Sequence, residues 1–233
     1  MPALRDRQAE TLDFLRVALA ERRFGDIAAV SSFGAESAVL LHLIARVDPA
    51  TPVIFIDTRM LFAETLAYKA TLVRHLELSD VRTVAPDGSA IRDRDPWGRL
   101  HLTDPDACCA FRKSRVLDAA LEGLDGWITG RKRYQAATRA DIELIERMTG
   151  GKTKLNPLAF WHADEVAEYA EAFDLPQHPL TGHGYASIGC ASCTSPVGVG
   201  EDARAGRWRG MDKIECGIHI DNGAIVRQAG RNG

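Results

Sequence analysis

Short apolar runs alternate with longer amphipathic stretches along most of this chain. Leu12, Leu15 and Leu19 fall on one side of a helical wheel, so residues 1–25 read as a helix. From Asp26 onward Ile27–Val30, Val53–Ile56, Val81–Val84 and 127–129 have the length and apolar character of buried strands. Between and after them, 35–46, 62–76, 113–121 and 163–173 carry helical periodicity. Buried strands separated by helices predict an α/β fold: a parallel sheet flanked on both faces by helices. The last sixty or so residues break this rhythm. Gly182, Gly184, Gly189, Gly198, Gly200, Gly206 and Gly210 punctuate them, which predicts a loop-rich, mobile tail. The expected organisation is an α/β domain over 1–189, with 190–233 as a C-terminal segment of the same domain.

Composition narrows the class. The 233 residues are 45% hydrophobic and 26% charged, with a mean hydropathy of −0.16, as in a globular domain and not a disordered chain. No run approaches the ~18 apolar residues of a spanning helix, and Met1 to Arg7 lead into an amphipathic stretch with no signal-peptide core. A cytoplasmic protein that does not bind membranes is expected. The net charge of −3 and a pI near 6.2 argue against a nucleic-acid partner.

Where the first strand meets its helix, the chain reads Ser31-Ser32-Phe33-Gly34-Ala35-Glu36-Ser37. Backbone N–H groups and hydroxyls at such a point suit a phosphate or sulfate; a serine here also serves as an ordinary helix cap. Asp57 and Thr58 end the second strand, where they would line the same crevice or simply shape a turn.

Five cysteines make the most informative pattern: adjacent Cys108 and Cys109, the Cys190-x-x-Cys193 hook, and Cys216. An odd number fits a disulfide framework poorly. Four thiolates suit zinc or an iron–sulfur cluster. Successive ligands on one tetrahedral ion strain the backbone, which favours a [4Fe-4S] cubane, and structural zinc stays as the alternative. Between residues 107 and 139 seven basic residues face three acidic ones, and Arg204 and Arg207 follow Cys193. Basic groups beside both cysteine pairs suggest an anionic small-molecule substrate. Cys216 remains for other work, with His219 near in sequence; a thiolate among cations is a usable nucleophile.

Taken together these motifs resemble the assimilatory sulfonucleotide reductases, and within them the iron–sulfur branch acting on adenylyl sulfate (adenosine 5′-phosphosulfate). The similarity runs from about Asp26 to His219. It rests on the Ser-Ser-Phe-Gly-Ala-Glu-Ser loop, Asp57-Thr58, Cys108-Cys109 with Arg112-Lys113, and Trp127-Ile128-Thr129-Gly130. Further on it rests on Cys190-x-x-Cys193-Thr194, Arg204-x-x-Arg207-Trp208 and Glu215-Cys216-Gly217-Ile218-His219. The resemblance implies an adenine-nucleotide α-hydrolase-like (PP-loop type) fold. It implies substrate contacts from Ser31, Ser32, Phe33, Gly34, Asp57, Thr58, Gly130 and Arg133, and a [4Fe-4S] cluster on Cys108, Cys109, Cys190 and Cys193. Catalysis falls to Cys216 with Lys113, Arg204, Arg207 and His219. Cys216 would attack the sulfate sulfur, AMP would leave, and thioredoxin or a glutaredoxin-like dithiol would release sulfite. A homo-oligomer stays open.

The chain departs from the usual family pattern at several points: Arg59 for Gly, Ala63 for Pro, Lys132-Arg133-Tyr134-Gln135-Ala136 for Arg-Arg-Asp-Gln-Ser, and Ser195 for a basic residue. The rival enzymes are the reductases of the 3′-phosphorylated nucleotide and, further off, PP-loop tRNA-thiolating enzymes. The latter resemble Ser-Gly-Gly-x-Asp-Ser at the loop and lack the terminal Glu-Cys-Gly-x-His. A zinc-stabilised nucleotide-binding regulator is the non-enzyme alternative, and it leaves Cys216 without a purpose.

Overall fold

The computed structural model describes residues 2–211, 213 and 215, so the expectations placed on Cys216 and His219 lie outside the described residues. After α1 (Pro2–Leu19) the chain alternates β1 (Ile27–Val30), α2 (Ser37–Val47), β2 (Val53–Ile56), α3 (Ala63–His75) and β3 (Val81–Val84). Three short helices follow, α4 (Gly88–Arg94), α5 (Leu100–Thr103) and α6 (Pro105–Cys109). A π turn at Ala110–Ser114 then joins α6 to α7 (Arg115–Ala120). Next come β4 (Gly126–Thr129), β5 (Ile145–Arg147), β6 (Thr153–Leu155) and α8 (Ala163–Ala172).

The six strands lie in the order β3-β2-β1-β4-β6-β5, all neighbours parallel except the β5–β6 pair. Period-2 alternation sorts their side chains. Ile27, Ala29, Val53, Phe55, Ile128 and Leu155 join Leu15, Leu43, Ile44, Leu72 and Tyr169 in the larger core, under α1, α2, α3 and α8. Ala28, Ile54 and Trp127 face the other way, onto Leu117 and Leu121 beside α7. Gly126 is required where β4 meets β6, since a Cβ there would stand 2.1 Å from the Thr153 carbonyl oxygen.

This topology sets where a ligand binds. From β1 the chain winds outward through β2 and β3, then returns to place β4 on β1's other side. The loops leaving β1 and β4 therefore diverge, and the crevice between them is the expected ligand position in such a sheet.

Three features differ from the sequence reading. Both β5 and β6 go unpredicted: each is three residues long, and β6 carries a Lys at its centre. Lys154 is nonetheless fully buried, with its Nζ 5.7 Å from the centre of the Trp127 ring. The helix expected at 113–121 is the end of a longer helical run that starts at Pro105, where the Asp104 carboxylate caps the N-terminus by accepting from the Ala107 N–H at 2.8 Å. Finally, α2 starts at Ser37, after a Glu36 that makes no side-chain cap. Ser31 and Ser32 are thus not helix caps; they belong to a separate loop.

Candidate active site

The loop after β1 is bent back on itself. Phe33 adopts a left-handed backbone (φ +48°), while its ring is fully buried edge-on against Phe55, centroids 5.4 Å apart. The Ser31 hydroxyl accepts from the Phe33 N–H at 3.1 Å. Burial of the ring holds a backbone conformation that a bulky residue otherwise avoids. Phe33 therefore acts as the loop's anchor and does not line the cleft.

That cleft, about 230 Å³, lies at the crevice between the β1 and β4 loops. Ser31, Ser32, Gly34 and Gly130 line it as the sequence suggested, together with Arg204 and Arg207. Arg131, Lys132 and Arg139 complete a wall of five cationic side chains, against the carboxylates of Glu36 and Asp202. Such a wall favours an anion of more than one charge.

Much of the charge is already organised. Lys132 is fully buried and donates to Glu36 at 2.8 Å; Tyr134 Oη and Gln135 Nε2 also donate to that carboxylate, each at 2.6 Å. Burial alone would raise the Glu36 pKa, but the Lys132 ammonium and these donors outweigh it and hold it below the usual carboxylate range. Burial pulls the Lys132 pKa down, opposed by Glu36. Arg131 donates to the buried Asn156 Oδ1, which also accepts from the Thr129 hydroxyl at 2.7 Å. Arg207 is less committed: its Nη1 reaches Ser187 Oγ only at 3.4 Å, and its buried Nε has no hydrogen-bond partner among the described residues.

A second, smaller cavity is lined by Cys108, Cys109, Cys190 and Cys193 together with Met60, Arg112, Lys113 and Trp208. All four thiols are free of disulfides. Burial pushes the Cys108 pKa up to about 11, with Arg112 opposing and the nearby Cys190 and Cys193 adding to the rise. Among the described residues no group of three or more His, Cys, Asp or Glu is arranged to hold a single metal ion. The Cys190 hook is sewn to its neighbours: the Ala191 N–H donates to Met60 O at 2.8 Å, and the Trp208 N–H to Cys193 O at 3.0 Å. An antiparallel bridge pairs Thr194 with Arg207. Trp208 packs on Cys109 on one side and stacks under Arg207 at 4.4 Å on the other, so its ring links the thiol cavity to the cationic cleft.

Besides Phe33, three expected substrate contacts stand away from the cleft. Arg133 turns away, donating to Ile142 O at 2.8 Å and Glu143 at 3.0 Å, with its guanidinium 4.2 Å from the Phe160 ring centre. Thr58 serves the cysteines: its hydroxyl lies 3.2 Å from Cys190 Sγ, and its carbonyl accepts from Arg112 at 2.8 Å. Asp57 accepts from the Arg59 N–H at 2.8 Å and pairs with its guanidinium at 3.1 Å. Arg59 itself has φ +61°, a conformation that favours glycine, which explains why the family usually has Gly there. Lys113 lies at the thiol cavity and not at the cleft.

Sequence reasoning did not single out Arg139, Glu36 or Glu215 as members of the site. Arg139 donates twice to Glu215, at 2.8 and 3.0 Å, and Arg204 once, at 2.9 Å. The only signal was their place inside motifs already noticed for other residues.

Comparisons with known proteins agree with this geometry. A family model described as the phosphoadenosine phosphosulfate reductase domain matches residues 26–196. The chain is 49% identical to an adenosine 5′-phosphosulfate reductase of Mesorhizobium japonicum, over 84% of this chain and 76% of that one. It is 40% identical to a phosphoadenosine 5′-phosphosulfate reductase of Gloeobacter violaceus, over 87% and 86%. The crystal structure of the phosphoadenylyl-sulfate reductase from Candida auris superimposes with a TM-score of 0.69 at 24% identity, covering 81% of this chain and 90% of that one, which shows a shared fold. By the extent of the family match and of the identity to these relatives, the chain belongs to the phosphoadenosine phosphosulfate reductase family.

Proposed function

We propose that this protein is a thioredoxin-dependent adenylyl-sulfate reductase that converts adenosine 5′-phosphosulfate to sulfite and AMP. One observation carries the reading: a cationic cleft at the sheet's switch point, lined by Arg207, adjoins a cavity of four free thiols lined by Trp208, and Arg207 lies over the Trp208 ring at 4.4 Å. The nucleotide lies across the loop 31–36 and Gly130, with its phosphosulfate toward Arg204 and Arg207. The Cys216 thiolate attacks the sulfate sulfur, the S–O bond to the phosphate breaks, and AMP leaves with the electron pair. The product is a Cys216 S-sulfonate. A thioredoxin thiolate then attacks the Cys216 sulfur, sulfite departs with the S–S electron pair, and the second thioredoxin thiol resolves the mixed disulfide. Arg204, Arg207 and Lys113 stabilise the anionic groups, and His219 assists at the nucleophile.

Cys108, Cys109, Cys190 and Cys193 would hold a [4Fe-4S] cluster. Four thiols around one cavity, with the Thr58 hydroxyl on Cys190, are a donor set that fits it. When bound, the cluster supplies a fixed charge beside Arg112 and Lys113. Segment 190–233 completes the site and does not fold alone, a reading supported by the backbone bonds from Ala191 and Trp208. The cytoplasm, where such thiols stay reduced, is the compartment this chemistry suits; no helix among the described residues is long and apolar enough to cross a membrane.

The unphosphorylated nucleotide is the preferred substrate. A 3′-phosphate would bring about −1.5 to −2 further charge and need dedicated Lys or Arg contacts near the ribose; Arg59 is paired with Asp57 and Lys132 with Glu36. The deciding experiment compares kcat/KM for sulfite release from the two nucleotides with thioredoxin as reductant. A higher value for adenylyl sulfate is expected. An equal or higher value for the 3′-phosphorylated nucleotide overturns the choice.

A further inference from the structure

Glu215 immediately precedes the cysteine that the proposed mechanism needs as nucleophile, and its side chain is among the most firmly held acidic groups near the cleft. It is 9% exposed and, among the described residues, accepts charge-assisted hydrogen bonds from Arg139, through two of its nitrogens, and from Arg204. Two residues earlier, Lys213 pairs with Asp106, on the turn that bears Cys108, and its Nζ lies 5.7 Å from the centre of the Trp208 ring. The chain leading to Cys216 is thus fastened twice, by charges of opposite sign: once beside the thiol cavity and once beside the cationic cleft.

We propose that Glu215 is a positioning residue: its carboxylate, clamped by Arg139 and Arg204, seats the tail so that Cys216 meets the bound phosphosulfate. This rests on the reductase reading above and adds to it a residue that never touches substrate. Two features favour anchoring over competition between Glu215 and the substrate for the arginines. Arg139 is buried, and all three of its nitrogens already donate, to Glu215 and Gln135. Arg207 lines the same cleft and makes no ion pair with Glu215 among the described residues, so a cation remains for substrate while Glu215 stays in place. Near-attack geometry is sensitive to displacements of about an ångström, which makes such an anchor a rate determinant with little share in binding.

The test uses the full-length, iron-loaded protein and the variant Glu215→Gln, which keeps the shape and removes the charge. Two quantities are read: the single-turnover rate of Cys216 S-sulfonate formation at saturating adenylyl sulfate without reductant, and the Kd for AMP. The rate should fall about tenfold or more while the AMP Kd stays within about twofold. Glu215→Asp, which keeps the charge on a shorter arm, should fall between the two and serves if the glutamine variant does not load iron. Unchanged rates in both variants would overturn the positioning role. So would tighter AMP binding at an undiminished rate, the signature of an internal anion merely occupying the arginines. A wild-type protein that forms no S-sulfonate would overturn the reductase reading and this role with it.

Discussion

Removing the Asp95 carboxylate should be among the most damaging single changes outside the main core. Asp95 and Arg112 form an ion pair at 2.7 Å with both side chains almost wholly buried, 3% and 4% exposed. Arg112 is shielded from solvent: it also donates to the Thr58 carbonyl, and its buried Nε has no hydrogen-bond partner among the described residues. Stripping one member from a buried pair strands the other charge, at a cost of about 3–5 kcal/mol. For a chain of this size each kcal/mol lowers Tm by about 2–4 °C, so Asp95→Ala should lose about 6–20 °C in a thermal melt followed by circular dichroism. The double variant Asp95→Ala/Arg112→Met removes both charges and should recover part of that loss, with a coupling of up to about 3 kcal/mol. The pH dependence has a definite sign. Burial raises the Asp95 pKa, but the hydrogen bonds from Arg112 and the Leu100 N–H outweigh it and the net shift is downward. Its stabilisation is then present above the unfolded value of about 3.9 and lost as the pH falls through the folded value, so the gap between wild type and variant should close below about pH 4. A Tm within about 3 °C of wild type for Asp95→Ala, or strict additivity in the double variant, would refute the stranded-charge argument.

Gly189→Ala should disturb the site and not the fold: the added Cβ would stand 2.3 Å from Arg207 Nη2, and the guanidinium, being the flexible partner, must move. AMP affinity should fall by about tenfold or more with little change in Tm, as checked by calorimetric titration beside a melt. Replacing any of Cys108, Cys109, Cys190 or Cys193 by Ser should lower iron content and sulfite production together, measured on anaerobically purified protein. His42, whose pKa is pushed down to about 4 by burial with Arg46 and His75 adding, stays neutral in the fold at pH values where an unfolded histidine takes up a proton. Stability should therefore decline as pH drops from 6.5 towards 4, and His42→Gln, measured by urea unfolding across that window, should flatten the slope.

Strands β1, β2 and β4 were legible as short buried runs, and α2 and α3 by their helical periodicity; β3 was legible too, although its residues are only partly covered at the sheet edge, whereas the short helices α4 and α5 were not. The β5–β6 hairpin was not, because Lys154 interrupts the apolar pattern, and its burial against the Trp127 ring on the neighbouring strand shows only in three dimensions. Local sequence located the 31–37 loop, but not that Phe33 points into the core; that needs Phe55 from β2. The cysteines were readable as a set from count and spacing. Thr58, Asp57 and Arg133 stand away from the cleft, and a residue's position near a strand end does not foretell which of two adjoining cavities it faces. The Glu36–Lys132 and Glu215–Arg139 pairs join residues 96 and 76 apart in the chain, and no local pattern foretells such pairings.

The central claim is that Cys216 takes the sulfonate from adenylyl sulfate and yields it to a dithiol. Mass spectrometry of the iron-loaded protein, mixed with adenylyl sulfate in the absence of reductant, tests this most directly. The account predicts one SO3 group on the peptide containing Cys216, one AMP released per sulfonate formed, loss of the adduct as sulfite on adding reduced thioredoxin, and no adduct in Cys216→Ser. AMP release without any protein-bound sulfonate, or a sulfonate on one of the other four cysteines, would contradict it.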